Sequence, residues 1–203
     1  MDKKNVFLFD LDSTVTTQEI LPEISKKINK EQEMVELTER TMMGSIDFEE
    51  SFRSRVKILS EISVSDVADL ISEIMLGKEI VEFIQKNKDN CYIVTSNLDV
   101  WIEKLMKKIG MEDHCFCSHA IVQDDKIIDI EKILKKEDAV NNFKDNYGIV
   151  AIGDGSNDRN MLECADISIA YGGVRNIAPI LLEIVDYAIY DEKKLVEFLS
   201  RLV

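Results

Sequence analysis

Val6-Phe7-Leu8-Phe9-Asp10-Leu11-Asp12-Ser13-Thr14 reads as a buried strand that runs straight into two carboxylates and two hydroxyls. The run from Val6 to Phe9 is continuously apolar and rich in β-formers, which suits a parallel strand covered on both faces. In open α/β sheets, ligands bind beyond the carboxyl ends of the strands, which is where Asp10 and Asp12 fall. If the backbone stays extended past Phe9, residues i and i+2 point the same way and both carboxylates face one pocket.

Beyond Thr14 the pattern changes to apolar residues at three- and four-residue spacing. It predicts helices over Glu19 to Asn29, Glu31 to Met43, Phe48 to Leu59 and Ser65 to Leu76. Gly44 and Asp47 separate the second and third, and Ser63 or Ser65 can cap the fourth. This is a small four-helix insertion, residues 17–76, after the first strand of a core made of residues 1–16 and 77–203. Placed there, it becomes a cap over the carboxyl end of that strand.

From Gly77 strands and helices alternate. A helix is expected over Lys78 to Lys88, a strand over Cys91 to Val94 ending in Thr95-Ser96-Asn97, and a helix over Leu98 to Ile109 closed by Gly110. A hairpin follows, Ala120 to Val122 and Lys126 to Ile130, turning on Asp124-Asp125. Then come a helix over Lys136 to Asn146, a strand over Ile149 to Ile152, a short helix over Arg159 to Cys164 and a strand over Ile167 to Ala170. A helix near Ile177 to Glu183, a strand at Tyr187 to Ile189 and a helix from Glu192 complete the chain. The fold class is therefore α/β, a doubly wound parallel sheet carrying a helical cap.

The 203 residues suffice for one sizeable core, or a core with an insertion. Hydrophobic residues make up 45% and the mean hydropathy is −0.09, values of an ordinary globular chain. No run approaches the roughly 20 apolar residues of a membrane span, and the Met-Asp-Lys-Lys start does not read as a signal peptide, so a cytoplasmic protein with reduced cysteines is expected. A formal charge of −14 argues against nucleic acid as a partner, and the lack of an apolar span against a membrane. An anionic ligand would then need particular cations to hold it. His114-Cys115-Phe116-Cys117-Ser118-His119 has the look of a metal cluster, but Cys-x-Cys is not the usual structural zinc spacing and an alternating strand gives the same pattern.

Three strands end in polar clusters: Asp10/Asp12, Thr95/Ser96/Asn97 and Asp154/Asn157/Asp158. A parallel sheet brings all three to one edge. Oxygen ligands gathered from Asp10 and Asp154 suit magnesium, and without a cation so many carboxylates would repel one another. A lysine near the site would neutralise a phosphate; Lys136 is the candidate and Lys135 its competitor.

In this order the pieces resemble the haloacid dehalogenase-like hydrolase superfamily along nearly the whole chain. Asp10-Leu11-Asp12-Ser13-Thr14 matches its first motif, Thr95 its second, Lys136 its third, and Gly153-Asp154 with Asp158 its fourth. The resemblance implies a magnesium-dependent phosphomonoester hydrolase. Asp10 would be the nucleophile that becomes an aspartyl phosphate, and Asp12 the general acid and base. Magnesium would be held by Asp10, Asp154 and the backbone carbonyl of Asp12, with Asp158 behind it on a bound water. Thr95, Ser96, Lys136 and Asn157 would bind phosphoryl oxygens. Within the superfamily the phosphoserine phosphatase branch is the nearest in pattern. On that resemblance Glu19 would pair with a substrate ammonium and Arg55 with its carboxylate, while Met42 and Phe48 form an apolar wall. The branch usually has Ser-Gly-Gly where this chain has Thr95-Ser96-Asn97, which leaves another small phosphorylated metabolite, a phospho-amine or sugar-like ester, as the alternative substrate. A phosphotransferase, a dehalogenase and a non-catalytic binding module are the other readings. Oligomeric state is not legible.

Overall fold

Alternation along the first strand divides the molecule into layers. In the computed structural model, which describes residues 3–43 and 45–203 apart from the side chain of Met42, β1 (Asn5–Phe9) turns Phe7 and Phe9 to one side of the sheet and Val6 and Leu8 to the other. All four are buried, as a strand covered on both faces requires. The expected turn at Gly44 and the wall position of the Met42 side chain fall outside what is described.

The other strands are β2 (Cys91–Leu98), β3 (Cys115–Gln123), β4 (Lys126–Lys132), β5 (Gly148–Gly153), β6 (Ile167–Tyr171) and β7 (Tyr187–Ile189). They form one seven-stranded sheet in the order β4-β3-β2-β1-β5-β6-β7, so β1 lies in the middle. Every neighbouring pair is parallel except β3 and β4, whose antiparallel hairpin makes up one edge. The hairpin is longer than expected because β3 starts at Cys115, pairing with β2 through its first half and with β4 through its second. Cys115, Cys117 and His119 are alternate positions of this strand.

Four helices lie between β1 and β2 ahead of the core helix α5 (Lys78–Lys86): α1 (Ile20–Ser25), α2 (Glu31–Met42), α3 (Phe48–Leu59) and α4 (Val64–Ser72). Asp47 caps α3 by accepting from Glu49 N and Glu50 N, and Ser63 caps α4 by accepting from Asp66 N. The chain enters and leaves this stretch side by side: Thr17 N donates to Met75 O, and Gly77 N to Val15 O, both at 2.9 Å.

On the face of Phe7 and Phe9 pack α5, α6 (Asp99–Ile109) and α9 (Glu192–Leu199) through Ile80, Phe83, Trp101, Leu105, Leu195 and Leu199. The Phe83 ring meets Phe7 edge-on at 5.4 Å, and each ring buried this way contributes roughly 1.5–3 kcal/mol. The insertion joins the same apolar layer through Ile20, Ile24, Phe52, Leu59, Val67 and Ile71. The opposite face is thinner and holds α7 (Glu137–Asn141), α8 (Arg159–Glu163) and a single 3-10 turn at Pro179–Leu181.

Several helices are shorter than their periodicity predicts; α4 ends at Ser72 rather than Leu76 and α5 at Lys86 rather than Lys88, and three others depart further. The first stops at Ser25, passing through a 3-10 turn to Asn29 in the left-handed region. The stretch Lys136 to Asn146 keeps only α7, because its asparagines and aspartates compete for the backbone; Asn142 Nδ2 donates to Asp138 O at 2.8 Å. Near Ile177 to Glu183, Pro179 removes a donor and holds Ala178 extended, leaving the 3-10 turn alone. The second strand is longer than expected, since Thr95, Ser96 and Asn97 continue β2 across an irregularity in its pairing with β3. No helix among the described residues is long and apolar enough to cross a membrane.

Candidate active site

Asp10 keeps the extended backbone of β1, with its N–H on Ile152 O of β5 at 2.9 Å. The chain then turns through Leu11–Val15, where Ser13 takes φ 56° and Asp12 stays extended. Thr16 Oγ1 braces this turn, accepting from Ser13 N at 3.0 Å and donating to Gln18 O at 2.8 Å. Asp12 thereby reaches the start of α1, where its Oδ1 accepts from Ile20 N at 2.8 Å, a favourable place for a carboxylate. Its Oδ2 accepts from Asn97 Nδ2 at 2.6 Å.

From the adjacent strand β5, Gly153 leads into Asp154, and the loop after it brings Asp158 back. Asp158 Oδ2 accepts from Asp154 N and Gly155 N, at 3.1 and 2.9 Å. This close return needs glycine at 153, since a Cβ there would lie 2.5 Å from the Asp158 carboxyl carbon. Oxygens of Asp10, Asp154 and Asp158 all lie within 4.8 Å of one another, and all three residues are buried.

Lys136, immediately before α7, inserts between two of these carboxylates; its Nζ bonds Asp10 and, at 2.5 Å, Asp158 Oδ1. Lys135 is exposed, so the structure separates the two candidate lysines. Burial opposes the Lys136 charge, but Asp10 and Asp158 more than offset it and hold the ammonium above its ordinary range. Burial first, and then Asp158, push the Asp10 carboxyl up to about 7, against the pull of Lys136. Asp154 is raised well above the usual carboxylate range by burial and then by Asp10 and Asp158, and its Oδ1 is a buried atom without a hydrogen-bond partner.

These observations describe a place for a cation. Five carboxylates (Asp10, Asp12, Glu19, Asp154 and Asp158) surround three cationic side chains (Lys136, Arg55 and Arg175), and one divalent ion cancels the two remaining negative charges. The donors are hard oxygens at a buried, partnerless atom, which suits a magnesium-like ion.

Thr95, Ser96 and Asn97 are buried beside this cluster. Thr95 Oγ1 accepts from Asn97 N at 3.2 Å and from Asn97 Nδ2 at 3.0 Å, so the hydroxyl keeps its own hydrogen to donate. Over the cluster lies a small, narrow cleft. Asp10, Asp12, Thr95, Ser96, Asn97 and Asn157 line its floor, and Glu19, Phe48 and Arg55 its roof. Arg55 is nearly buried on α3, its guanidinium 5.9 Å from the ring centres of both Phe48 and Phe52, and burial lowers its pKa to about 10.

Sequence reading missed Leu21, Thr38, Thr41, Phe52 and Ser156, which complete the cleft, and above all Arg175. Arg175 follows β6 in a loop with no motif of its own. Its Nη1 pairs with Glu19 and its Nε with Asp154 Oδ2.

A sheet edge carrying a buried cluster of carboxylates with an ammonium inserted among them has the chemistry of a hydrolase of the phosphoryl-transfer kind. The chain belongs to the haloacid dehalogenase-like hydrolase family, whose model matches residues 7–163. It is 32% identical over 200 residues to a phosphoserine phosphatase of Methanocaldococcus jannaschii, covering 92% of each chain. It is 29% identical to that of Archaeoglobus fulgidus, covering 94% of this chain and 58% of that one. Among solved structures it superposes on a phospho-aspartyl intermediate analogue of phosphoserine phosphatase with a TM-score of 0.81 at 28% identity, covering 98% of this chain and 99% of that one. A substrate-bound phosphoserine phosphatase complex gives 0.80 at 27%, with the same coverage. The chain is thus a phosphatase of this family.

Proposed function

We propose that the protein is a magnesium-dependent phosphomonoester hydrolase that cleaves phosphoserine or a close analogue through a phosphorylated Asp10. The carrying observation is the buried set of Asp10, Asp154, Asp158 and Lys136 at the end of the two central strands, facing Arg55 and Glu19 across one small cleft.

Asp10, Asp154 and the Asp12 carbonyl would hold the ion, which when bound draws charge from the phosphoryl oxygens. In the first displacement an Asp10 oxygen bonds to phosphorus as the ester oxygen leaves. Asp12, fixed by Ile20 N and Asn97, hands that oxygen a proton. In the second, Asp12 takes a proton from water as the water oxygen bonds to phosphorus, releasing phosphate and restoring Asp10. Lys136 and the Thr95 hydroxyl, with Ser96 and Asn157, offset the charge on the transferring group. Asp158 fixes Lys136 and the 154–155 backbone, and would support a bound ion through a water. Arg55 would take the substrate carboxylate in two-point contact, and Glu19 its ammonium. Residues 17–76 act as a cap that excludes bulk water; the side-by-side crossings at 16–17 and 75–77 support a unit attached at one neck.

With Mg2+, release of phosphate from L-phosphoserine is expected in wild type, and Asp10→Asn should abolish it. Arg55→Ala should lower kcat/KM by about a hundredfold or more, as loss of one partner of a desolvated ion pair does. Wild-type rates retained in either variant would contradict the assignment.

A further inference from the structure

The residue that the cleft presents to a substrate ammonium already holds a cation. Glu19 is paired with Arg175, and the same guanidinium bonds Asp154 Oδ2, leaving Asp154 Oδ1 for the ion. We propose that Arg175 is a specificity-determining residue that occupies the ammonium subsite, so that an aminated phosphoester binds by prising Arg175 off Glu19. This deepens the phosphoserine reading and rests on it.

The loop is built for this placement. Gly172 and Gly173 fold it back where a Cβ would sit 2.5 Å from the Tyr190 ring or 2.1 Å from the Tyr171 hydroxyl. Further along, Ala178 N donates to Asp154 O at 3.0 Å, fastening the loop to the strand end that carries Asp154. Arg175 therefore arrives from a fixed backbone. Its side chain lies between the inner cleft and an outer groove lined by Pro22, Val35, Met43 and Ile177, and both spaces also touch Glu19 and Thr38. The outer groove gives the guanidinium room to swing when it leaves Glu19.

Electrostatics sets the sign. Two cations meeting at one carboxylate repel, and with Arg175 and Glu19 only partly exposed water screens that repulsion incompletely. A phosphoester that lacks the ammonium meets no such competitor and can leave the Arg175–Glu19 pair in place. Arg175 thus imposes a penalty on phosphoserine that its deaminated counterpart does not incur.

Equilibrium binding to the Asp10→Asn protein, followed by titration calorimetry in the presence of Mg2+, isolates the effect from turnover. The ligands are L-phosphoserine and 3-phosphooxypropionate, the same ester without its ammonium. Adding Arg175→Gln is expected to tighten phosphoserine about tenfold while the deaminated ester stays within about twofold. Adding Glu19→Gln as well removes the gain. Arg175→Lys, which keeps the charge but cannot bridge both carboxylates, gives a smaller gain, and melting curves verify that each variant is folded. Equal changes for both esters, unchanged or weaker phosphoserine binding, or no binding of either ester in any background would overturn the proposal. The phosphoserine reading fails on a different result: Arg175→Gln with Asp10 intact hydrolyses p-nitrophenyl phosphate but releases no phosphate from phosphoserine, while the binding comparison still reports on Arg175.

Discussion

A lysine held between two aspartates in a dry pocket has no affordable neutral state. Lys136 is 2% exposed, and breaking its pairs leaves Asp10 and Asp158 buried without their cation. Lys136→Met should therefore destabilise the metal-free fold by about 3–5 kcal/mol, read as a lower urea midpoint at unchanged m-value, and should remove turnover. A midpoint close to wild type would mean that the pair is not formed in solution. Residues of this kind differ in how well a sequence announces them. Asp10, Asp12 and Asp154 stand directly behind apolar strands, so the place of their carboxylates follows from the strands themselves. Lys135 and Lys136 look alike as letters, and only the entry of the chain into α7 buries one and exposes the other. Arg175 is illegible for a related reason. It owes its position to a loop folded over two glycines, and a folded-back loop leaves no period in the sequence.

Among the elements, the β3–β4 hairpin ties the insertion to the sheet edge. Asp124 and Asp125 turn it with φ 49° and 60°, a twist that fits a two-residue hairpin. The tip reaches α4: Asp125 O accepts from Val64 N, and the Asp125 carboxylate accepts from Ser65 N at 3.0 Å and Ser65 Oγ at 2.6 Å. The bonds from the Ser65 hydroxyl and then the Ser65 amide pull the Asp125 carboxyl below its ordinary 3.8. A depressed carboxyl contributes stability above its unfolded value and loses it as pH falls through the folded one. The Ser65 amide resonance should accordingly shift with a midpoint below pH 3.8, and Asp125→Ala should abolish that titration. A midpoint at or above 3.8 would show the bond absent. The hairpin was legible from its flanking alternation, and the docking of its tip was not, because the partners are 60 residues apart. Helix lengths failed where side chains compete with the backbone, as at Asn142, or where Pro179 interrupts it.

At the scale of the whole molecule, the buried acidic cluster costs stability, and on the proposed function a bound cation would offset that cost. A ligand bound at a hundred times its Kd adds about 2.7 kcal/mol, which for a chain of this size raises Tm on the order of 5–10 °C. Mg2+ should produce such a rise in a thermal melt, EDTA should reverse it, and Asp154→Asn should remove it. No Mg2+-dependent rise in wild type would argue against a cation at this cluster. The position of β1 in the sheet has a further consequence, for synthesis on the ribosome. The central strand is translated before both of its neighbours, and β5, which closes its second side, emerges more than 140 residues after it. At roughly 5–20 residues per second, Val6 to Phe9 remain unpaired and then half-paired for on the order of ten seconds. During that interval the nascent chain carries an open, sticky ribbon that trigger-type chaperones are suited to shield, and the acidic tips cannot meet until the last of it has been covered.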